Sequence, residues 1–127
     1  MAVQKQDGLH TDVAESAADL RGKENRFCTR GADGRVNLTG AGQRADGVIS
    51  EGKDVGYHTS FNTDGNPILR VEAGAALARN AQVVSDAQGR AVTAGAGAEN
   101  VFGIVRNPVG AAGEVASIIP QRADTPA

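Results

Sequence analysis

An all-β fold built from two similar halves, a small β-barrel or β-sandwich with little helix, is what this sequence predicts. Three observations carry that expectation. A glycine-rich β motif is written twice, short alternating runs are separated by turn signals every 8–12 residues or so, and helical periodicity is nearly absent.

The repeated motif first reads Asp33-Gly34-Arg35-Val36-Asn37-Leu38-Thr39-Gly40-Ala41-Gly42 and closes on Gly47-Val48-Ile49. It returns as Gln88-Gly89-Arg90-Ala91-Val92-Thr93-Ala94-Gly95-Ala96-Gly97, closing on Gly103-Ile104-Val105. Gly34 and Gly89, Arg35 and Arg90, Gly40 and Gly95, and Gly42 and Gly97 are all 55 apart (89 − 34 = 55), while Gly47 and Gly103 are 56 apart. The unit is a turn, a strand, a Gly-rich turn and a strand. Two copies are too few for a solenoid, which needs about three to bury a continuous core, so they form two halves of one compact body.

The elements follow in order. Residues 1–25 are polar and read as an extended N-terminal arm, in which Val3, Leu9, Val13 and Leu20 are the sizeable apolar side chains. Asp12-Val13-Ala14-Glu15 has capping-box spacing, and Val13, Ala17 and Leu20 follow at helical intervals before Gly22, so a short helix forms there on contact with a partner. Residues 26–120 are the β-domain. Phe27-Cys28-Thr29 is a strand turned by Ala32-Asp33-Gly34, then Arg35–Leu38 and Gly47–Ser50 follow. Gly56–Asn62 alternates, with Tyr57, Thr59 and Phe61 sharing a face. Thr63-Asp64-Gly65-Asn66-Pro67 is a turn cluster, because Asp and Asn bond back to the backbone and Gly permits positive φ. Ile68–Glu72 and Gln82–Val84 are strands, and the Ala-rich stretch between them is a loop despite its helix propensity, given Gly74 near its start. Arg90–Thr93, Val101–Arg106 and Glu114–Ile119 complete the set before Pro120. Residues 121–127 form a flexible C-terminal tail.

Composition bounds the function. A chain of 127 residues is one domain. It has no Trp, one Tyr and three Phe, with 17 Gly, so its core is thin in aromatic burial and rich in chain entropy to be lost on folding. Such a core calls for neighbours: oligomerisation, or docking onto something larger. A net charge of −2 without a basic stripe argues against nucleic-acid and membrane partners. No run of about 18 apolar residues spans a bilayer, and no signal-peptide core opens the sequence. The sequon Asn37-Leu38-Thr39 therefore carries no sugar.

Catalytic constellations are not found. Gly40-Ala41-Gly42-Gln43-Arg44-Ala45 fits a dinucleotide fingerprint, but that motif works only where a helix starts inside it, and Gly47-Val48-Ile49 follows instead. His10 and His58 lack partners at zinc-ligand spacing. Ser60, His58 and Asp64 can be written as a triad, yet His58 and Ser60 are same-face strand neighbours without an oxyanion donor. Cys28 reads as a small buried apolar group. The sequence implies no enzyme, cofactor or metal.

Ala18-Asp19-Leu20, Arg26-Phe27, Gly34-Arg35-Val36, Gly40-Ala41-Gly42 and Ala45-Asp46-Gly47-Val48-Ile49 resemble the first half of tailed-phage capsid decoration (head cement) proteins. Val71–Leu77, Val83–Val92, Gly103-Ile104-Val105 and Ala111-Ala112-Gly113-Glu114-Val115 resemble the second, so the likeness spans residues 18–119. The chain departs from the family at Gly52–Gly56 and at Arg79-Asn80. The resemblance implies a subunit made in the host cytoplasm that docks on the outer surface of an icosahedral head. Such a subunit bridges neighbouring capsomers of the major capsid protein, as a homo-oligomer with a trimer favoured. In this reading the arm's apolar residues Val3, Leu9, Val13 and Leu20 touch the capsid. The competing reading is a receptor- or glycan-binding β-module, ranked second because four aromatic rings are few for sugar sites.

Overall fold

The computed structural model describes residues 11–121. They form ten strands: β1 (Thr11–Glu15), β2 (Phe27–Arg30), β3 (Val36–Leu38), β4 (Gly47–Glu51), β5 (His58–Thr63), β6 (Leu69–Glu72), β7 (Gln82–Ser85), β8 (Ala91–Thr93), β9 (Gly103–Asn107) and β10 (Val115–Pro120). The described residues contain no helix. Two antiparallel five-stranded sheets result, ordered β1-β5-β4-β2-β3 and β6-β10-β9-β7-β8. Adding five to each label of the first order gives the second. The duplication is thus one of whole sheets, wider than the motif that signals it.

Register repeats with the same fidelity. Cys28 faces Gly47 in the first sheet, and Val83 faces Gly103 in the second. Both glycines are forced by packing, since a Cβ on Gly47 would overlap the Asn62 carbonyl and one on Gly103 the Ile119 carbonyl. Neither sheet closes into a barrel, so the body is of the sandwich kind. One isolated parallel bridge, Ser16 to Val36 in the first half and Ala73 to Ala91 in the second, draws the ends of each sheet toward each other.

That curvature gives each half its own core. Ala14, Cys28, Val36, Ile49 and Phe61, one from each strand, cluster with Leu20. The second half repeats them as Val71, Val83, Ala91, Val105 and Ile118 with Leu77. Every member has a counterpart, and only the side-chain volumes are redistributed. Where the halves meet, Phe27, Ala45 and Val48 of the first join Leu69 and Phe102 of the second in the larger cluster. The Phe27 and Phe102 rings lie 4.8 Å apart at 54°, a tilted pairing that contributes about 0.5–1.5 kcal/mol beyond its buried area.

The expected arm ends sooner than the sequence implied. Thr11–Glu15 is a strand, with Thr11 opposite Asn62 and Glu15 opposite His58. The expected helix there is absent because Ala14 and Ser16 alternate inward while Val13 and Glu15 face out, and sheet pairing satisfies the backbone that a lone short helix would leave marginal. Residues 1–10, including His10, and residues 122–127 of the expected tail lie outside the described part.

Candidate docking surface

Of the most exposed large apolar side chains of the first half, Val55 and Tyr57 stand in the turn that leads into β5, and Val13 stands in the middle of β1, opposite Ser60. Tyr57 is 68% exposed, Val55 is 52% and Val13 is 48%. Tyr57 lies one residue before β5, outside the face it was expected to share with Thr59 and Phe61. Those two point inward and are buried.

The Tyr57 ring is free, but its backbone is held. Gly56, at φ 86°, supplies the left-handed residue of the turn. The Tyr57 N–H donates to the Asp54 carbonyl at 3.0 Å, and its own carbonyl accepts from the Ser16 N–H at 2.8 Å. The Ser16 hydroxyl donates to the same carbonyl at 2.8 Å. An aromatic ring on a fixed stem loses little conformational entropy on binding, which suits an anchor residue.

The second half shows what is special about this end. The first turn also has the Gly56 N–H donating to Ser16 O, and the second keeps all three backbone bonds, with Ala73 N–H donating to Glu114 O, Gly113 N–H to Ala73 O and Glu114 N–H to Ala111 O. Ala112 and Glu114 stand there in place of Val55 and Tyr57. The scaffold is duplicated; the exposed ring belongs to the first half alone, while the second half exposes Val115 beside its turn.

Charge frames the tip. Arg21 grips Asp19 through Nε and Nη2, both at 2.9 Å, and its Nη2 reaches Asp54 at 3.5 Å. The Arg21 side-chain bond, followed by a bond from its backbone N–H, holds the Asp19 carboxyl down at about 2. Lys53 pairs with Glu51 at 3.1 Å. Asp54 therefore links the Tyr57 turn to the segment carrying Asp19 and Arg21.

Of the four side chains expected at a partner surface, Val13 and Leu20 are among the described residues, and of these two Val13 is exposed. Leu20 is 1% exposed, which removes it from any surface: its N–H donates to the Lys53 carbonyl at 2.9 Å and its side chain completes the first core. Leu20 marks a core position, as its counterpart Leu77 does. Val3 and Leu9 lie outside the described residues. Sequence reasoning missed the Tyr57 tip because a tyrosine in an alternating run reads as a buried strand residue, and only Gly56 beside it hinted at a turn.

The catalytic lures take structural places. Gly40–Arg44 is a turn, closed by the Gln43 N–H donating to Gly40 O at 3.1 Å, and β4 follows it. His58 is exposed on the outer face, and Ser60 bonds to Ser50 at 2.9 Å. Burial, with the Asp46 charge adding to it, pushes the Cys28 thiol far up, so it stays protonated inside the core. Among the described residues no cluster of three His, Cys, Asp or Glu side chains assembles to hold a metal.

A duplicated two-sheet β module with one anchored aromatic tip is the class this geometry defines. No protein-family model matches the chain, and no curated protein matches it. Among solved structures it is similar to the N base of the head fiber gp8.5 in bacteriophage phi29. The TM-score is 0.72 at 17% identity, over 90% of this chain and 95% of that one. The likeness shows a shared fold.

Proposed function

We propose that this protein is a structural component of a tailed-phage head, a decoration subunit that docks on the outer surface and bridges neighbouring capsomers of the major capsid protein. The observation that carries the reading is the fold match to a head fiber base, which extends over nearly the whole of both chains. The physical design agrees with it. Exposed apolar side chains fit for docking include Val13, Val55 and Tyr57, and the charges around the Tyr57 turn are mostly engaged with one another. Several such contacts on one rigid body act together through effective concentration, and binding only the assembled shell stabilises that shell by mass action. Val3 and Leu9 add contacts of the same kind in this proposal.

The test uses heads of the tailed phage whose genome encodes the chain, stripped of this protein and incubated with it. Co-sedimentation at saturable stoichiometry, with density at regular lattice positions on the outside, is the expected result. Protein that remains in the supernatant at every concentration overturns the proposal.

A glycan-binding module is the second reading, favoured by the exposed Tyr57 ring. It ranks lower because Phe27, Phe61 and Phe102 are all buried, which leaves a single ring where sugar sites stack on several.

A further inference from the structure

The joint between the two halves is heterologous. The first half contributes Arg26, Phe27, Gly42 and Val48, while the second contributes Glu72, Ser85, Gly89 and Phe102. These sets are not counterparts of each other. By the repeat, Phe27 corresponds to Gln82 and Phe102 to Asp46, since the Asp46 N–H donates to Cys28 O just as the Phe102 N–H donates to Val83 O. Each half therefore carries, unmated, the face its sister uses. The second half ends in Gln82, Gly97 and Ile104; the first ends in Glu15, Arg30 and Gly34.

We infer that copies of this chain associate head to tail, the Gln82–Ile104 face of one seating on the Arg30–Gly34–Asp46 face of the next, in repetition of the internal joint. Main-chain bonds supply much of that joint and do not depend on side-chain identity. The Phe27 N–H donates to Gly89 O at 2.6 Å, the Glu72 N–H to Asn25 O at 2.7 Å and the Gly42 N–H to Ser85 O at 2.9 Å. Their repeats are Gln82 to Gly34, Glu15 to Asn80 and Gly97 to Arg30.

Burial follows the same logic. Phe27, Val48 and Gly89 are buried in the joint, whereas Gln82 is exposed and Ile104 and Gly34 are half-buried. A Cβ on Gly89 would meet the Phe27 carbonyl at 2.8 Å, while one on Gly34 would meet open space. The receiving turn thus has the shape of the occupied one, and its Gly34 carbonyl holds only the exposed Arg30 Nε at 3.2 Å, a side-chain bond that an incoming Gln82 N–H displaces. Side chains make the repeat weaker than the original. The Arg26–Glu72 ion pair at 3.2 Å becomes Ala81 with Glu15, and the ring pair becomes Gln82 with Asp46. A heterologous contact repeated from copy to copy yields a ring where the rotation closes and an open filament where it does not.

Sedimentation velocity of the full chain over a wide concentration range, paired with cross-linking, tests this. Gln82→Cys and Asp46→Cys variants are treated with a short bismaleimide, singly and mixed. Mixing is expected to give a cross-linked dimer in several-fold excess over either variant alone, and wild-type protein is expected to sediment as an oligomer. Ile104→Arg, on the outward face, should return monomers with an unchanged far-UV spectrum. Wild-type monomers at every concentration overturn the inference. So does cross-linking of a single variant to itself, which marks an isologous contact. None of these readouts involves a phage head, so they fail or succeed separately from the docking proposal.

Discussion

The Ser16 and Thr59 hydroxyls lie 2.7 Å apart inside the first half, and their counterparts in the second half are the buried alanines Ala73 and Ala116. The direction of the bond follows from its neighbours. Thr59 Oγ1 accepts from the Lys53 N–H at 2.8 Å, and Ser16 donates its one hydroxyl proton to Tyr57 O, so Thr59 donates to Ser16. A relay thus runs from Lys53 through two hydroxyls to the carbonyl of the exposed tyrosine. The half that carries the exposed ring is also the half with a polar brace beneath it.

Breaking the brace leaves a buried hydroxyl without an acceptor. Ser16→Ala is expected to cost about 1–3 kcal/mol, read as a lower urea midpoint at unchanged slope. Ala73→Ser, the reverse change in the sister half, introduces a hydroxyl with no matching partner at Ala116 and should also destabilise.

Glycines at matched positions differ in consequence from glycines in open turns. Gly47→Ala and Gly103→Ala place a Cβ on a neighbouring strand's carbonyl, and each should cost upwards of about 4 kcal/mol or abolish folding. At Gly95 a Cβ meets nothing within 4 Å and φ is ordinary. Gly95→Ala should be neutral or gain up to about 1 kcal/mol. Thermal melts of the three variants decide it.

Deletion should separate fold from arm. Removing residues 1–25 takes away β1, Ala14 and Leu20, and the first sheet should fail to fold, with loss of the cooperative transition by circular dichroism. Removing residues 1–10 leaves every described contact in place and should preserve that transition.

Asp19 should titrate below the ordinary carboxylate range. Its carboxyl sits at about 2, held down by the Arg21 side chain, the depressed-acid case. Whatever it contributes to stability is present above about pH 4 and is lost as pH falls through 2. Carboxyl-carbon NMR reads the midpoint directly, and Arg21→Gln should move it back toward the ordinary carboxylate range.

The tip makes its own prediction. Tyr57→Ala removes the ring and keeps its backbone bonds, so stability should change by less than about 0.5 kcal/mol. Head binding, measured by co-sedimentation, should weaken at least tenfold, in line with a central anchor worth about 2 kcal/mol or more.

What was legible in the sequence followed glycine. Gly34 and Gly89, at φ 82° and 77°, and Gly42 and Gly97, at 68° and 75°, are forced by their turns, so the duplication showed wherever they stood. Outside that motif the halves share backbone and little else. Asn25 and Asn80, both left-handed at φ 67° and 70°, are an equivalent pair that no motif announced. β6 was readable because Leu69 and Val71 alternate as large apolar residues. Its sister β1 was not, since Ala14 stands where Val71 does and small inward residues leave no hydrophobic period. Leu20 falls by accident on a helical interval, which reads as a partner-facing position, whereas the residue is core.

Main-chain bonding across the seam has an evolutionary corollary. A contact written in amides and carbonyls tolerates almost any drift in the residues that bear them, provided a few glycines stay put. Shape can then outlive sequence, and this chain shares its fold with the N base of the phi29 head fiber gp8.5 at 17% identity.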